Sequence, residues 1–426
     1  MTVHAPPPAP ESIEKSGVGH RLLLDLVLKL IHVEGLTTVS ALCARSRLPI
    51  ALVSELVDEF RQLKLLESLG THGRDLAAEM RYALTGKGHD WAAAALERSQ
   101  YVGPAPVSLE AFRDQVEKQR LATEPVTPEQ LGHSFRRLIL PDELLARLGP
   151  AVNSGKSILL YGGSGNGKTA IAEALRDAFR DVIAVPYCIA VDGQIINYFD
   201  AHVHQVVADG DPDGPGLRTG TMRDRRWVAC RRPVTVVGGE LTLEMLDLVF
   251  DPATKFYEAP AHLKAAGGVF LIDDFGRQRT SPESILNRWI VPLERGVDYL
   301  SLRTGKKFPV PFDGLVIFST NLKPTDVADA GMLRRLHYKI EVGQPSPEDY
   351  ARIWALACGE YGIEPPDEGT MRFLEEQLCA RHGIPRAGYH PRYLIEQVAA
   401  ICEYEGQPMR LDRARLSLAW SNLFTC

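Results

Sequence analysis

The residues from Gly162 to Thr169 are the ones whose types and order most plainly do chemistry. Gly162, Gly163, Ser164, Gly165, Asn166, Gly167, Lys168 and Thr169 fit the pattern GxxxxGK[ST] without departure. Glycines let the backbone curl so that successive N–H groups point inward at phosphate oxygens. The apolar run SILLYG before them reads as a strand. TAIAEALRDAF after them reads as a helix whose positive end faces the same anion. In that setting Lys168 reaches β- and γ-phosphates and the Thr169 hydroxyl ligates magnesium. The bland alternative, a glycine turn with a chance lysine, does not call for a strand on one side and a helix on the other.

A phosphate loop needs a second group on the magnesium side, and GGVFLIDDFGR supplies one. Apolar residues run into Asp273 and Asp274. Asp273, at the end of a buried strand, suits the metal-side carboxylate, and the residue after it is where the attacking water is activated. A strand that simply ends in two solvated acids is the alternative.

These groups need elements to hold them. From about His133 the runs SILLYG, VIAVPYCIAV, VTVVG, GVFLIDDFG, GLVIFSTN and HYKIEV are short and rich in Val and Ile, with helical segments between several of them. That alternation predicts an α/β core over 134–345, a parallel sheet with helices on both faces. After Pro345 the pattern is wholly helical, an all-α domain over 346–426. Residues 19–100 read as helices followed by a short hairpin and another helix, which resembles a winged helix. Its second helix of the pair carries Glu55, Asp58 and Glu59 against Arg61 and Lys64, an unfavourable face for DNA phosphates. A protein-binding adaptor is the preferred reading and DNA contact the second. YVGPAPVS is read as an exposed boundary and 101–133 as a linker, so residues 1–100 are expected to fold alone. The proline-rich residues 1–18 are expected to be a disordered tail.

With 426 residues the chain is too long for one core, and a net charge of −6 gives no overall basic field for nucleic acid or anionic lipid. Its seven cysteines show no CxxC spacing, which reads as free thiols in a reducing cytoplasm. No apolar run approaches the roughly 18 residues of a membrane span.

The order of motifs resembles an AAA+ ATPase, from about Phe135 to Gly406. The resemblance implies ATP and Mg2+ as ligands and ATP hydrolysis as the activity. In GLVIFSTNLKP it implies a sensor role for Asn321, orienting water near the γ-phosphate. In AGMLRRLHYKIEV it implies an arginine finger, Arg334 or Arg335, supplied to a neighbouring subunit. In AGYHPRYLIEQ it implies that Arg392 reaches back to the γ-phosphate from the helical lid. In RRLILPDELLARLGPAVNSGKS it implies that Leu138 and Ile139 flank the adenine. A site completed in trans implies a homo-oligomer, usually a ring, and the expected work is remodelling an unidentified protein partner. A DNA-associated, ATP-switched regulator is a second reading. The family usually has glutamate where this chain has Asp274, one methylene shorter. That departure motivates a third reading, a nucleotide-gated scaffold with slow turnover. Glu240 is a weak candidate to help the water. The hairpin VDYLSLRTGKKFPVPFDGLVIF resembles the branch with a hairpin before the sensor strand.

Four other features attract attention. Asp209, Asp211, Asp213 and Gly214 open like a calcium loop, but Gly220 stands where the bidentate glutamate belongs. His202 and His204 lack a third ligand nearby. RDRRWVACRR is either a solvated basic stretch or a partner or nucleic-acid contact with Trp227 stacking on a base. Phe256 and Tyr257 are either core or a grip on a client.

Overall fold

The computed structural model describes residues 3–72, 79–121, 125–207 and 222–424. The calcium-like residues Asp209, Asp211, Asp213 and Gly214 lie outside them.

The first ordered unit runs α1 (His20–Glu34), α2 (Val39–Ser46), α3 (Ile50–Gln62), an antiparallel hairpin β1 (Leu66–His72) and β2 (Glu79–Leu84), then α4 (Gly86–Arg98). Thr38 caps α2 by accepting from Ala41 N–H, and Thr85 caps α4 by accepting from Gly88 N–H. β3 (Val107–Ser108), α5 (Leu109–Lys118), α6 (Pro128–Ser134) and α7 (Asp142–Asn153) lead to β4 (Ile158–Tyr161) and α8 (Lys168–Ala174). Then come β5 (Val182–Pro186), β6 (Cys188–Val191), β7 (Gln194–Asn197), β8 (Trp227–Arg231), β9 (Val234–Val237), β10 (Val249–Asp251), β11 (Phe256–Glu258), α9 (Ala261–Lys264) and β12 (Val269–Ile272). The core closes with α10 (Pro282–Arg288), α11 (Ile290–Arg295), β13 (Val297–Ser301), β14 (Lys307–Pro311), β15 (Leu315–Thr320), α12 (Pro324–Val327), α13 (Ala330–Leu333) and β16 (Tyr338–Glu341).

Five strands form one parallel sheet in the order β16-β4-β15-β12-β9. Every residue of β12 and β15 is buried, as expected of strands covered on both faces. The period of two sorts them. Val269, Leu271, Leu315 and Ile317 pack with Leu148 of α7 and Ile171 of α8. Phe270, Ile272, Val316 and Phe318 pack with Leu286 of α10 and with Trp289.

Five of the six apolar runs named above enter this sheet; VIAVPYCIAV does not. β5 pairs antiparallel with β8, and β6 joins a second sheet, β10-β11-β7-β6-β3. β9 takes the place beside β12. The insertion therefore lies on both sides of β9: β5 to β8 fall between α8 and β9, and β10 and β11 fall between β9 and β12. Arg232 and Asp181, both buried, pair at the point where the chain leaves and re-enters the core.

The second sheet also corrects the reading of the N-terminal region. Ala105 and Val107 are wholly buried, and Tyr101 is nearly so, so YVGPAPVS is not an exposed linker. Gln100 N–H donates to Thr254 O, and Ala105 N–H donates to Ser46 O. Cys188 and Ile195 share one core with Leu23, Leu26 and Leu52. The expected disordered tail is also ordered from Val3 onward: His4 N–H donates to Val182 O, Ala9 N–H to Met222 O, and Ile13 and Val18 are buried. Composition suggested disorder because prolines dominate; backbone pairing to β5 and two apolar anchors override it. Removing residues 1–100 should therefore expose apolar surface on the second sheet. The truncated chain is expected to melt several degrees lower or to aggregate, which calorimetry and light scattering would read; an unchanged melt would contradict this packing.

After β16 come the helices α14 (Pro347–Tyr361), α15 (Glu368–Phe373), α16 (His390–Glu405) and α17 (Arg413–Leu423), packed about their own core of Trp354, Leu394, Val398 and Trp420. Among the described residues, no helix is long and apolar enough to cross a membrane.

Two buried histidines give the fold an acid limit. His204 accepts Asp200 N–H at Nδ1 and donates from Nε2 to Lys264 O, which fixes a neutral ring between Tyr198 and Phe199. Burial pushes both His204 and His390 down to about 4 from the ordinary 6.5. Below pH 6.5 the unfolded chain takes up protons that the folded chain refuses, so stability is full above that value and lost towards pH 4. Asp298, held down at about 2 by His262 and Arg288, keeps its contribution throughout that window. Denaturant titrations are expected to show about 2 kcal/mol less stability per histidine near pH 5 than above pH 7. A flat profile over that range would contradict it.

Candidate active site

A cleft of about 610 Å³ opens at the C-terminal ends of β4, β12 and β15, between the sheet and the C-terminal helices. Open α/β sheets place ligands at this edge. The loop from Gly162 to Gly167 joins β4 to α8 along its floor. Gly162, at φ +144, leaves no room for a side chain: a Cβ there would lie 2.2 Å from Val342 O. Gly165, at φ +76, is pressed by the Tyr389 ring, 2.1 Å from where its Cβ would be. Gly167, at φ +86, starts α8.

Lys168 is buried and folds back over the loop. Its Nζ donates to Gly162 O at 3.0 Å, Gly163 O at 2.9 Å and Asn321 Oδ1 at 2.7 Å. Burial lowers its pKa, partly opposed by the carboxylates of Asp273 and Asp274. Thr169 Oγ1 donates to Asp273 Oδ2 at 2.7 Å. Asn321, just past β15, donates from Nδ2 to Asp274 Oδ1 at 3.4 Å. Lys168, Thr169, Asp273, Asp274 and Asn321 thus come from three adjacent strand ends into one hydrogen-bonded set. Ser164, Gly165 and Asn166 line the same cleft, as do Leu138 and Ile139.

The arginines divide. Arg392 lines the cleft from α16, where it is ion-paired with Glu360 of α14, also a lining residue. Arg334 and Arg335 do not line it. Arg335 is held by Glu294 at 3.0 Å and by Gly331 O at 2.6 Å. Arg334 is exposed, with no ion pair found among the described residues. Glu240 accepts Gly238 N–H in its own exposed loop and is not part of the cleft wall.

Outside the cleft the structure decides between several readings. Trp227 is 5% exposed and cannot stack on a base. Arg226 and Arg232 of the basic run are buried against Asp224 and Asp181. Tyr257 is buried, and Phe256 packs edge-on against Tyr101. The hairpin β13–β14 packs on the second sheet: Leu300, Phe308 and Val310 are buried with it, and Lys306 pairs with Asp192 at 2.5 Å. Among the described residues, no group of three metal-ligating side chains occurs, and His204 already spends both ring nitrogens.

Sequence reasoning missed Tyr389 and Gln278. Tyr389 donates its N–H to Gly165 O at 3.2 Å, so the lid rests on the loop itself. Its only signal was its place within the AGYHPRY motif, three residues before Arg392. Gln278, four residues beyond Asp274, bonds the backbone of the carboxylate turn.

A protein-family profile for a domain of unknown function, DUF8689, matches residues 346–422, the helices after β16. No curated protein sequence matches the chain. Among solved structures the chain is similar to NtrX from Brucella abortus, at 16% identity over 68% of this chain and 52% of that one, with a TM-score of 0.38. It therefore spans about half the length of that structure. It is also similar to a RuvB variant from Thermotoga maritima, at 12% identity over 67% of this chain and 70% of that one, TM-score 0.38. A Thermotoga maritima structure described as the RuvB Holliday junction branch migration motor gives 14% identity, 66% and 67% coverage and a TM-score of 0.36.

Proposed function

We propose that this chain is an AAA+ ATPase that binds Mg-ATP in the cleft and hydrolyses it within an assembly of copies to remodel a protein partner. The observation that supports this most is the bonded set Lys168–Asn321–Asp274 with Thr169–Asp273 at three adjacent strand ends. The donor set suits a hard divalent cation: a hydroxyl and a carboxylate, both oxygen ligands, already sit within 2.7 Å of each other. Thr169 and Asp273 would hold magnesium, which when bound neutralises charge on the β- and γ-phosphate oxygens.

The rest follows from the chain's own groups. The loop amides and the start of α8 bind the phosphates. Lys168 exchanges its loop carbonyls for phosphate oxygens, a trade that favours the charged ammonium. Asp274 holds the attacking water by accepting one of its hydrogens, and Asn321 fixes that carboxylate and the water's approach. Arg392 leaves Glu360 for the γ-phosphate as the lid closes through Tyr389. Leu138 and Ile139 cover the base and exclude water.

The finger role falls to Arg334 rather than Arg335, whose guanidinium is already held by Glu294 and Gly331 O. Arg334→Ala alone and Lys168→Ala alone are each expected to be nearly inactive, since an arginine supplied from a neighbour is worth about 10³–10⁵ in rate. Mixing the two should recover part of the turnover, because a mixed assembly pairs an intact finger with an intact loop. A specific rate independent of concentration, with no recovery on mixing, would rule out the shared site.

One observation favours a slower, switch-like variant of the same reading. Asp274 is short, exposed and at φ +48, so its carboxylate depends on its neighbours for aim.

A further inference from the structure

We propose that Gln278 is a positioning residue for the water-activating carboxylate, an inference that rests on the ATPase reading above. The turn after β12 is strained where chemistry is expected. Asp274 sits at φ +48 and Gly276 at φ +103. An aspartate tolerates the left-handed region better than most residues, yet it stays there only when its surroundings hold it.

The backbone of the turn is fixed on both sides. Asp273 N–H donates to Val237 O at 2.8 Å, and Phe275 N–H donates to Ser319 O at 2.6 Å. The Phe275 ring is fully buried against Phe318. The two peptides that flank Asp274 orient it, and Gln278 is the side chain that grips both carbonyls. Its Nε2 donates to Asp273 O at 2.9 Å and to Asp274 O at 3.2 Å, while its Oε1 accepts Gly276 N–H at 2.8 Å. The amide orientation follows from its partners, because the flipped form would set an oxygen against two carbonyls. The side chain therefore uses one hydrogen on each side of the Asp274 residue and closes the turn with its oxygen. It is not part of the cleft wall, so it acts through Asp274 and not on the substrate.

The consequence concerns aim. Asn321 Nδ2 reaches Asp274 Oδ1 at 3.4 Å, a contact with no slack. A small rotation of the Asp274 peptide breaks it, and misplacement on that scale costs rate while leaving phosphate binding in place. The ground state is bound by the loop, Lys168 and Thr169, none of which touches Gln278. A positioning role therefore predicts a separation of kcat from KM.

The test uses the full chain with Mg-ATP and two variants, Gln278→Met, which keeps the volume, and Gln278→Ala, in case the first misfolds. In both, kcat is expected to fall about tenfold. KM and the ATP dissociation constant should stay within about twofold. The melting temperature should be unchanged. An unchanged kcat overturns the inference. So does a fall in kcat accompanied by equal losses in affinity and melting temperature, since that result describes a merely structural glutamine. A parent chain that turns over no ATP overturns the ATPase reading and this inference with it.

Discussion

Asp273→Ala is expected to bind ATP and fail to hydrolyse it. Among the described residues Asp273 is the only carboxylate bonded to the Thr169 hydroxyl, at 2.7 Å, and the pair offers the oxygen ligands for the metal. Without the carboxylate the metal is held by one protein ligand, and charge developing on the phosphates goes uncompensated. Removing a single electrostatic contact of this kind costs about 10²–10³ in rate. The loss should appear in single-turnover rates at saturating ATP, with affinity for ATP measured without magnesium little changed. Asp274→Asn should resemble it in rate, since it keeps the shape and removes the water's acceptor. Hydrolysis at the parent rate in Asp273→Ala would mean that the metal is held elsewhere.

Lys168→Ala is expected to lose ATP binding itself, by about 100-fold or more. The ammonium is buried, and every hydrogen it carries is committed, to Gly162 O, Gly163 O and Asn321 Oδ1. Its removal takes away a charge on the cleft floor and also leaves two carbonyls and the Asn321 oxygen without a donor. The loop should lose its shape together with its charge. Lys168→Arg is not a rescue, because the larger planar group does not fit the fold-back over the loop. Burial lowers the Lys168 pKa, and a bound polyanion raises it again. Binding should therefore be accompanied by proton uptake at alkaline pH, visible as a buffer-dependent heat in calorimetry.

The chemistry of the cleft was legible because it is local. Gly162 to Thr169 and Asp273–Asp274 are contiguous stretches whose spacing alone sets their geometry, and each follows a strand whose apolar run has no polar break. Asn321 was legible for the same reason, one residue past β15. Distant partners were not legible. Nothing in the spacing of Arg334, Arg335 and Arg392 shows that Glu294 claims one and Glu360 another. VIAVPYCIAV has the composition of a core strand, and an apolar run does not say which sheet it will join. Asp181, just before β5, pairs with Arg232 across the insertion, a contact between residues 51 apart in the chain. The N-terminal residues misled for a related reason. Proline content describes local stiffness, while the order of residues 3–18 comes from β5, far along the chain. Tyr389 and Gln278 act through backbone atoms, which leave no mark on residue type at the position they hold.

The account stands most directly on one titration, the full-length chain against ATP by calorimetry with and without magnesium. Saturable binding of one ATP per chain is expected, tighter with magnesium and absent in Lys168→Ala. Heats indistinguishable from dilution in the parent chain, or a Lys168→Ala variant that binds as the parent does, would contradict it.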